Sequence, residues 1–475
     1  MITPDSHQEH DAHQLLVALK NYNAAIDQSE PGTGKSLTFL YLCKLCGARP
    51  AIVTRKAVIP AWVDLCERME LKPLFIANYE QLLSDKFEFT ETKLEAKGPK
   101  VDGTPGKATK KFVKWHIPDK RVIFCFDEAQ ALRGPQTFSS KAALGAAKEF
   151  KVVLLSATPF QNPLEAQVIG RILKLFPDGK QFSWLLSHGV RKNLYGQMQF
   201  VGDKTNKKDP ELVREYQAEG REIMAKIGRD IVPSRGVRTR RSEIPGFPES
   251  VIEMMSVETD SSAAITKLYL KELAGLKERD HERAAEGVDP EFAHMVEVMP
   301  MVVNLRIRQE IELLKAHAIA DLAKIAHEAG EQVAIFVNFD STISVLKELL
   351  DTDVVIRGSG ELKGDMARHN AVRLFQNNHR PFCIVNSAAG GAGLSLHDDK
   401  TQVSRTTLIS PPFSAILLRQ IEGRVWRRGG GFSTQKLVFA AGTLEDRIME
   451  VVKMRGGNLE SLLDSDLDIR NYSQP

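Results

Sequence analysis

Residues 29–36 read SEPGTGKS and follow the short apolar run AAID. Their spacing is that of a phosphate-enclosing turn, GxxxxGK[ST], with Ser29 in place of the first glycine. Gly32 and Gly34 lack side chains, so backbone N–H groups around them can point inward at an anion. Lys35 can reach the β- and γ-phosphates of a nucleotide, and the Ser36 hydroxyl can ligate Mg²⁺. A helix beginning here would add the positive end of its dipole. A second candidate is VIFCFDEAQ, where five apolar residues carry Asp127 and Glu128 to the end of a buried parallel strand. Two adjacent carboxylates there need a cation to offset them. Asp127 suits a Mg²⁺ ligand, and Glu128 suits a base that orients an attacking water.

Three further groups could serve the same chemistry. Gln420, Gly423, Arg424 and Arg427 fall at i, i+3, i+4 and i+7, one face of a helix. Arginines on such a face can meet phosphate oxygens across a cleft, although a solvated basic face has the same spacing. GGAG at 390–393 allows close backbone approach to a ligand, as would an ordinary turn. SAT at 156–158 ends a strand with two hydroxyls that could bond to Gln130 or simply cap the strand.

Elements that must hold these groups are readable as alternating apolar runs and helical periods. Strands are expected at Ala24–Asp27, Ala51–Thr54, Leu74–Ala77, Val122–Phe126 and Val152–Ser156, each followed by a helical pattern. That rhythm builds a parallel sheet from βαβ units. It stops over 176–325, which reads as helical and charged, and resumes at Val333–Val337, Val354–Ile356, Phe382–Asn386, Thr406–Ile409 and Lys436–Phe439. The fold class is α/β: two parallel-sheet lobes in tandem, residues 1–245 and 246–475. The first carries an insertion at 93–120 and a helical, basic extension at 176–245. The second carries a helical insertion at 255–325.

The chain has 475 residues and a formal charge of +3, too nearly neutral to reveal a polyanionic partner. The insertion 93–120 is different: eight lysines against Glu95, Asp102 and Asp119. VDGTPG at its centre and aromatic flanks suggest a projecting β-hairpin, although a solvated loop has the same composition. Five scattered cysteines fit a reducing compartment, and Cys43 and Cys46 read as helix packing rather than a metal pair. The absence of an apolar span or signal core leads to the expectation of an intracellular, membrane-free protein.

Taken in order, these segments resemble superfamily 2 helicases, and among them the Swi/Snf-like DNA translocases. SEPGTGKS resembles that family's first motif, which also lacks the leading glycine. PAIVTRKAVIPAW, IANYEQL and DEAQALRGPQTFSSKA resemble the next three, with Gln130 where histidine is usual. LLSATPFQNPLEA, QVAIFVNF, VNSAAGGAGLSL, QIEGRVWRRG and GTLEDRIMEVVKMR follow, and Gln8 in SHQEH sits where the family has an adenine-reading glutamine.

The resemblance implies two RecA-like lobes closing on ATP and Mg²⁺. Nucleotide contacts would come from Gln8, Glu30, Pro31, Gly32, Thr33, Gly34, Lys35, Ser36 and Gly393. Catalysis would use Lys35, Asp127, Glu128, Gln420, Arg424 and Arg427, with Ser36 and Asp127 on the metal. Gln130, Ser156 and Thr158 would couple hydrolysis to motion. DNA contacts are expected near Arg55, Lys56, Asn78, Tyr79, Ser387, Gly390 and Gly391. Lys110, Lys111 and Trp115 are expected on a wedge at a fork or junction, and Arg235, Arg238, Arg240 and Arg241 form another basic run. The function implied is an ATP-dependent DNA translocase or helicase, monomeric in solution, that remodels forked or branched DNA. Alternatives are a duplex translocase that displaces proteins, and a motor subunit of a nuclease or restriction assembly.

Overall fold

The computed structural model describes residues 2–83, 87–95, 110–203, 210–257, 305–357, 365–390, 394–398, 400–401, 403–412, 414–441, 443, 445 and 448–449. The chain divides into two compact units that part after Gly246, each built on its own six-stranded sheet.

The first unit opens with α1 (Ser6–Tyr22), capped where the Asp5 N–H donates to Gln8 Oε1 at 2.9 Å. There follow β1 (Ala24–Asp27), α2 (Lys35–Leu45), β2 (Arg49–Thr54), α3 (Ile59–Arg68) and β3 (Phe75–Asn78). After β4 (Thr90–Glu95), β5 (Lys110–Trp115) and β6 (Val122–Asp127) come α4 (Phe138–Glu149), β7 (Lys151–Leu155), α5 (Gln167–Ile172) and α6 (Gln181–Ser187). The unit ends with β8 (Arg191–Lys192), β9 (Met198–Gln199), α7 (Pro210–Ile231) and β10 (Gly236–Val237). The sheet order is β10-β1-β7-β6-β2-β3, all parallel. Its strands are apolar on both faces because helices cover both. Ile26, Val53, Phe124 and Leu154 face one core; Ala25, Ile52, Cys125 and Val153 face the other, against α1 and α2.

The second unit has β11 (Ser250–Val257), β12 (Gln332–Val337), β13 (Val355–Ile356), β14 (Phe382–Asn386), β15 (Arg405–Ile409) and β16 (Ser433–Ala440). These also pair in parallel, in the order β11-β16-β15-β12-β14-β13. A helix over 305–314 lies against the carboxyl ends of these strands through charged groups. Lys315, which follows it, is 0% exposed, and its Nζ donates to Glu445 Oε1 at 2.7 Å, Val438 O at 2.9 Å and Ser410 Oγ at 3.1 Å. Glu312 accepts from the backbone N–H of Asn338 and of Phe339.

The α/β class and the two parallel sheets are as the sequence predicts. Three features differ. β10 and β11 are edge strands within segments read as helical; they are short or alternately exposed, so neither carries the apolar run that marks a central strand. β8 and β9 form a small hairpin in the same extension. The insertion hairpin exists as β4 and β5, with its tip at 96–109 outside the described residues. Its base does not project: a Cβ on Gly145 of α4 would lie 2.4 Å from Val113 O, so helix and hairpin are in backbone contact. Of the helical insertion 255–325, residues 258–304 lie outside the described residues.

Candidate active site

Residues 28–34 leave the carboxyl end of β1 and turn into α2. Gly32 has φ 89° and Gly34 has φ 95°, the left-handed region that favours glycine. A Cβ on Gly34 would also meet Gln8 Nε2 at 2.2 Å, so no side chain fits there. Gln8 lies against the loop, its Nε2 donating to Thr33 O at 3.1 Å, and the His7 ring is 3.0 Å from the same carbonyl. Lys35 Nζ donates to Ser29 O at 2.8 Å and Glu30 O at 3.1 Å, filling the turn that a phosphate would enter. Burial pushes the Lys35 ammonium down, opposed by the charges of Asp27, Glu128 and Asp127.

The acidic pair stands at the carboxyl end of β6. Asp127 Oδ2 accepts from Thr54 Oγ1 at 2.8 Å and Trp62 Nε1 at 2.9 Å, while Tyr79 Oη donates to Asp127 O at 2.8 Å. Burial pushes the Asp127 carboxyl up, and Glu128 adds to that; the Trp62 and Thr54 hydrogen bonds and Lys35 oppose it. An enclosed carboxylate held in a fixed orientation beside a phosphate loop fits a divalent cation, with Ser36 in the first turn of α2 as its companion. Glu128 adopts φ 55°, ψ 52°, a strained conformation for a non-glycine residue. Gln130 Nε2 donates to Glu128 Oε2, and Ser156 Oγ donates to Gln130 Oε1 at 2.6 Å. Ser156 Oγ in turn accepts from Thr158 N at 3.1 Å. A chain of hydrogen bonds thus runs from the carboxylate to the end of β7.

The segment after β10 clasps the loop. Thr239 N donates to Ser29 Oγ at 3.0 Å, and Thr239 Oγ1 donates to Asp11 Oδ2 at 2.6 Å. Arg241 N donates to Glu30 Oε2 at 2.8 Å, and Arg241 Nε to Pro31 O at 2.9 Å. Ser29, the departure from the glycine pattern, is therefore a hydrogen-bond acceptor for this segment. Asp27, at the end of β1, accepts from Ser29 N at 2.9 Å, and burial pushes its carboxyl up.

Several expected contacts fall elsewhere. Trp115 is 2% exposed and packs against Phe75 and Phe124, with Nε1 donating to Ala142 O at 2.9 Å; it is core, not a stacking surface. Tyr79 is likewise buried behind the acidic pair. Asn78 is buried too, its Oδ1 accepting from Gln81 N at 2.7 Å within a turn. Arg241 supports the loop, and Arg235 stacks over Tyr22 at 4.5 Å. In the second unit Ser387 and Gly390 are buried, and a Cβ on Gly390 would lie 2.1 Å from Val385 Cγ1, so packing alone requires that glycine. Gly391 and Gly393 lie outside the described residues, as do the side chains of Lys110 and Lys111. Arg55 is half-buried and Lys56 exposed, both just beyond β2.

Gln420, Gly423 and Arg424 share a face of the helix Ala415–Val425, but the helix ends before Arg427. Trp426 is extended there, donating to Pro248 O at 2.7 Å. Arg424 Nη1 and Arg427 Nη2 both donate to Leu394 O, at 3.3 and 3.2 Å. Sequence reading missed the cradle of Thr54 and Trp62, and the Asp11–Thr239–Ser29 network. Only Trp62 carried a signal, a lone tryptophan closing a motif.

A strand–loop–helix with Lys35 inside the turn, separated by β7 from a strand that ends in two carboxylates, has the arrangement of a phosphate-loop nucleotide site. Residues 314–429 match the helicase conserved C-terminal domain. Over 98% of this chain and 84% of the relative, the sequence is 26% identical to a protein of Acanthamoeba polyphaga mimivirus named as an ATP-dependent RNA helicase. Among solved structures, S. cerevisiae Dbp5 bound to RNA and ADP BeF3 aligns over 96% of this chain and 88% of that one, with a TM-score of 0.45 and 14% identity. The chain thus carries a segment matching the helicase C-terminal domain and is similar along nearly its whole length to a viral protein named as a helicase.

Proposed function

We propose that the chain is a Swi/Snf-like translocase that couples ATP hydrolysis to movement on DNA and remodels forked or branched substrates. The observation that carries this is the hydrogen-bonded path from Glu128 through Gln130 to Ser156, which joins the hydrolytic carboxylate to a strand end. On this reading Lys35 exchanges the carbonyls of Ser29 and Glu30 for the β- and γ-phosphates of ATP. Thr54 and Trp62 hold Asp127 in place, and Glu128 orients the attacking water while Gln130 fixes the carboxylate. When bound by Ser36 and Asp127, Mg²⁺ supplies charge neutralisation at the phosphates. Arg424 and Arg427 would serve as arginine fingers after releasing the Leu394 carbonyl.

DNA is favoured by the wording of SATPFQN and AGGAGLSL, which resembles the DNA branch of the superfamily. RNA is the second reading, favoured by the name of the mimivirus relative. ATP hydrolysis measured with single-stranded DNA, duplex, fork, four-way junction and RNA separates them. The DNA reading expects at least tenfold greater stimulation by a DNA structure than by RNA. Stronger stimulation by RNA would overturn it.

A further inference from the structure

The hairpin of β8 and β9 has no part in the ATP chemistry, yet it is built with care. Its turn is closed by Asn193, whose Oδ1 accepts from Tyr195 N and Gln197 N, both at 2.9 Å, and Gly196 takes φ 76°. Asn193 Nδ2 also donates to Gln197 Oε1 at 3.1 Å. Below the turn, Val190, Phe200 and Val201 are buried in the core of the first unit. Arg191 Nη2 bonds Glu219 Oε1 of α7 at 2.6 Å. A rigid, anchored turn therefore presents Leu194 and Tyr195, which are 102% and 88% exposed.

A leucine and a tyrosine held side by side in water gain nothing for the fold. Within residues 189–200 there is no acidic residue; Glu219 of α7 offsets Arg191, and Lys192 supplies a positive charge two residues from the tip. Two residues are too small a patch for a protein partner, which needs about 800 Å² on each side. They match the face of a nucleobase, where stacking on an aromatic ring is tolerant of sequence. We propose that Leu194 and Tyr195 form a stacking tip that engages the exposed base pair where single strand meets duplex, with Lys192 near the backbone. This rests on the nucleic-acid motor reading above, and it moves the wedge from the lysine-rich insertion, whose Trp115 is core, to this hairpin.

The test uses the full chain and a Leu194→Ser/Tyr195→Ser variant on tailed DNA and RNA duplexes with 2-aminopurine at the junction base pair. The wild type should change the aminopurine fluorescence on binding, the double variant should not, and Tyr195→Phe should retain the change. ATP hydrolysis stimulated by single strands should stay within twofold of wild type in the double variant, while any strand displacement falls at least tenfold. A double variant that still perturbs the junction base overturns the proposal. So does a parallel loss of single-strand-stimulated hydrolysis, or a change in native mass showing that the tip joins two copies. Absence of stimulation by any nucleic acid in the wild type would instead overturn the motor reading itself.

Discussion

At the residue scale, Glu128 combines a strained backbone with a carboxylate fixed by Gln130, and the proposed role of base would use that fixed orientation. Glu128→Gln should bind ATP as the wild type does and lose turnover by roughly 10²–10⁴-fold, read by equilibrium binding beside steady-state hydrolysis. Equal loss of both would contradict its role as base. Asp11 offers a different test. Burial is the main cause that raises its carboxyl to about 6, against the Thr239 hydrogen bond. Between pH 4 and 6 the unfolded chain has released this proton while the folded chain keeps it, so stability should fall as pH rises through that window. Asp11→Asn should flatten that decline in thermal melts; an unchanged slope would contradict it. Spacing singles out Lys35, Asp127 and Glu128 as candidates, because phosphate chemistry demands fixed residue types on a short stretch. It could not reveal Asp11 or Thr239, which meet across 228 residues and carry no local pattern.

Elements were legible where burial was complete. β1, β2, β6 and β12 are continuous apolar runs and are found where the sequence puts them, whereas β10 and β11 are edge strands that lack such runs. Aromatic residues between lysines suggested a surface at β5, but alternation along the strand turns Val113 and Trp115 into the core. Trp115→Ala should therefore cost about 3–5 kcal/mol in chemical denaturation, as for other large core truncations. A variant as stable as wild type would restore the surface reading. The clasp after β10 makes a parallel prediction. Thr239→Val removes the donor to Asp11 and should cost about 1–3 kcal/mol, because a buried carboxylate oxygen loses its partner. It should also weaken ATP binding, since the same segment holds Ser29 and Glu30.

For the whole molecule, a charge of +3 spread over 475 residues means that the proposed nucleic-acid binding must rest on local features rather than on net attraction. Each unit has its own parallel sheet and core, and the loop after β1 is linked by hydrogen bonds to the segment that leads out of the first unit. On the proposed reading, that arrangement and the domain match at 314–429 together serve ATP-driven movement on nucleic acid. The most direct measurement is displacement of a labelled third strand from duplex DNA by the full chain, run with ATP and with a non-hydrolysable analogue. The wild type should displace the strand with ATP alone, and Lys35→Ala should displace none. Displacement that persists with the analogue, or in Lys35→Ala, would contradict an ATP-driven motor seated on this phosphate loop.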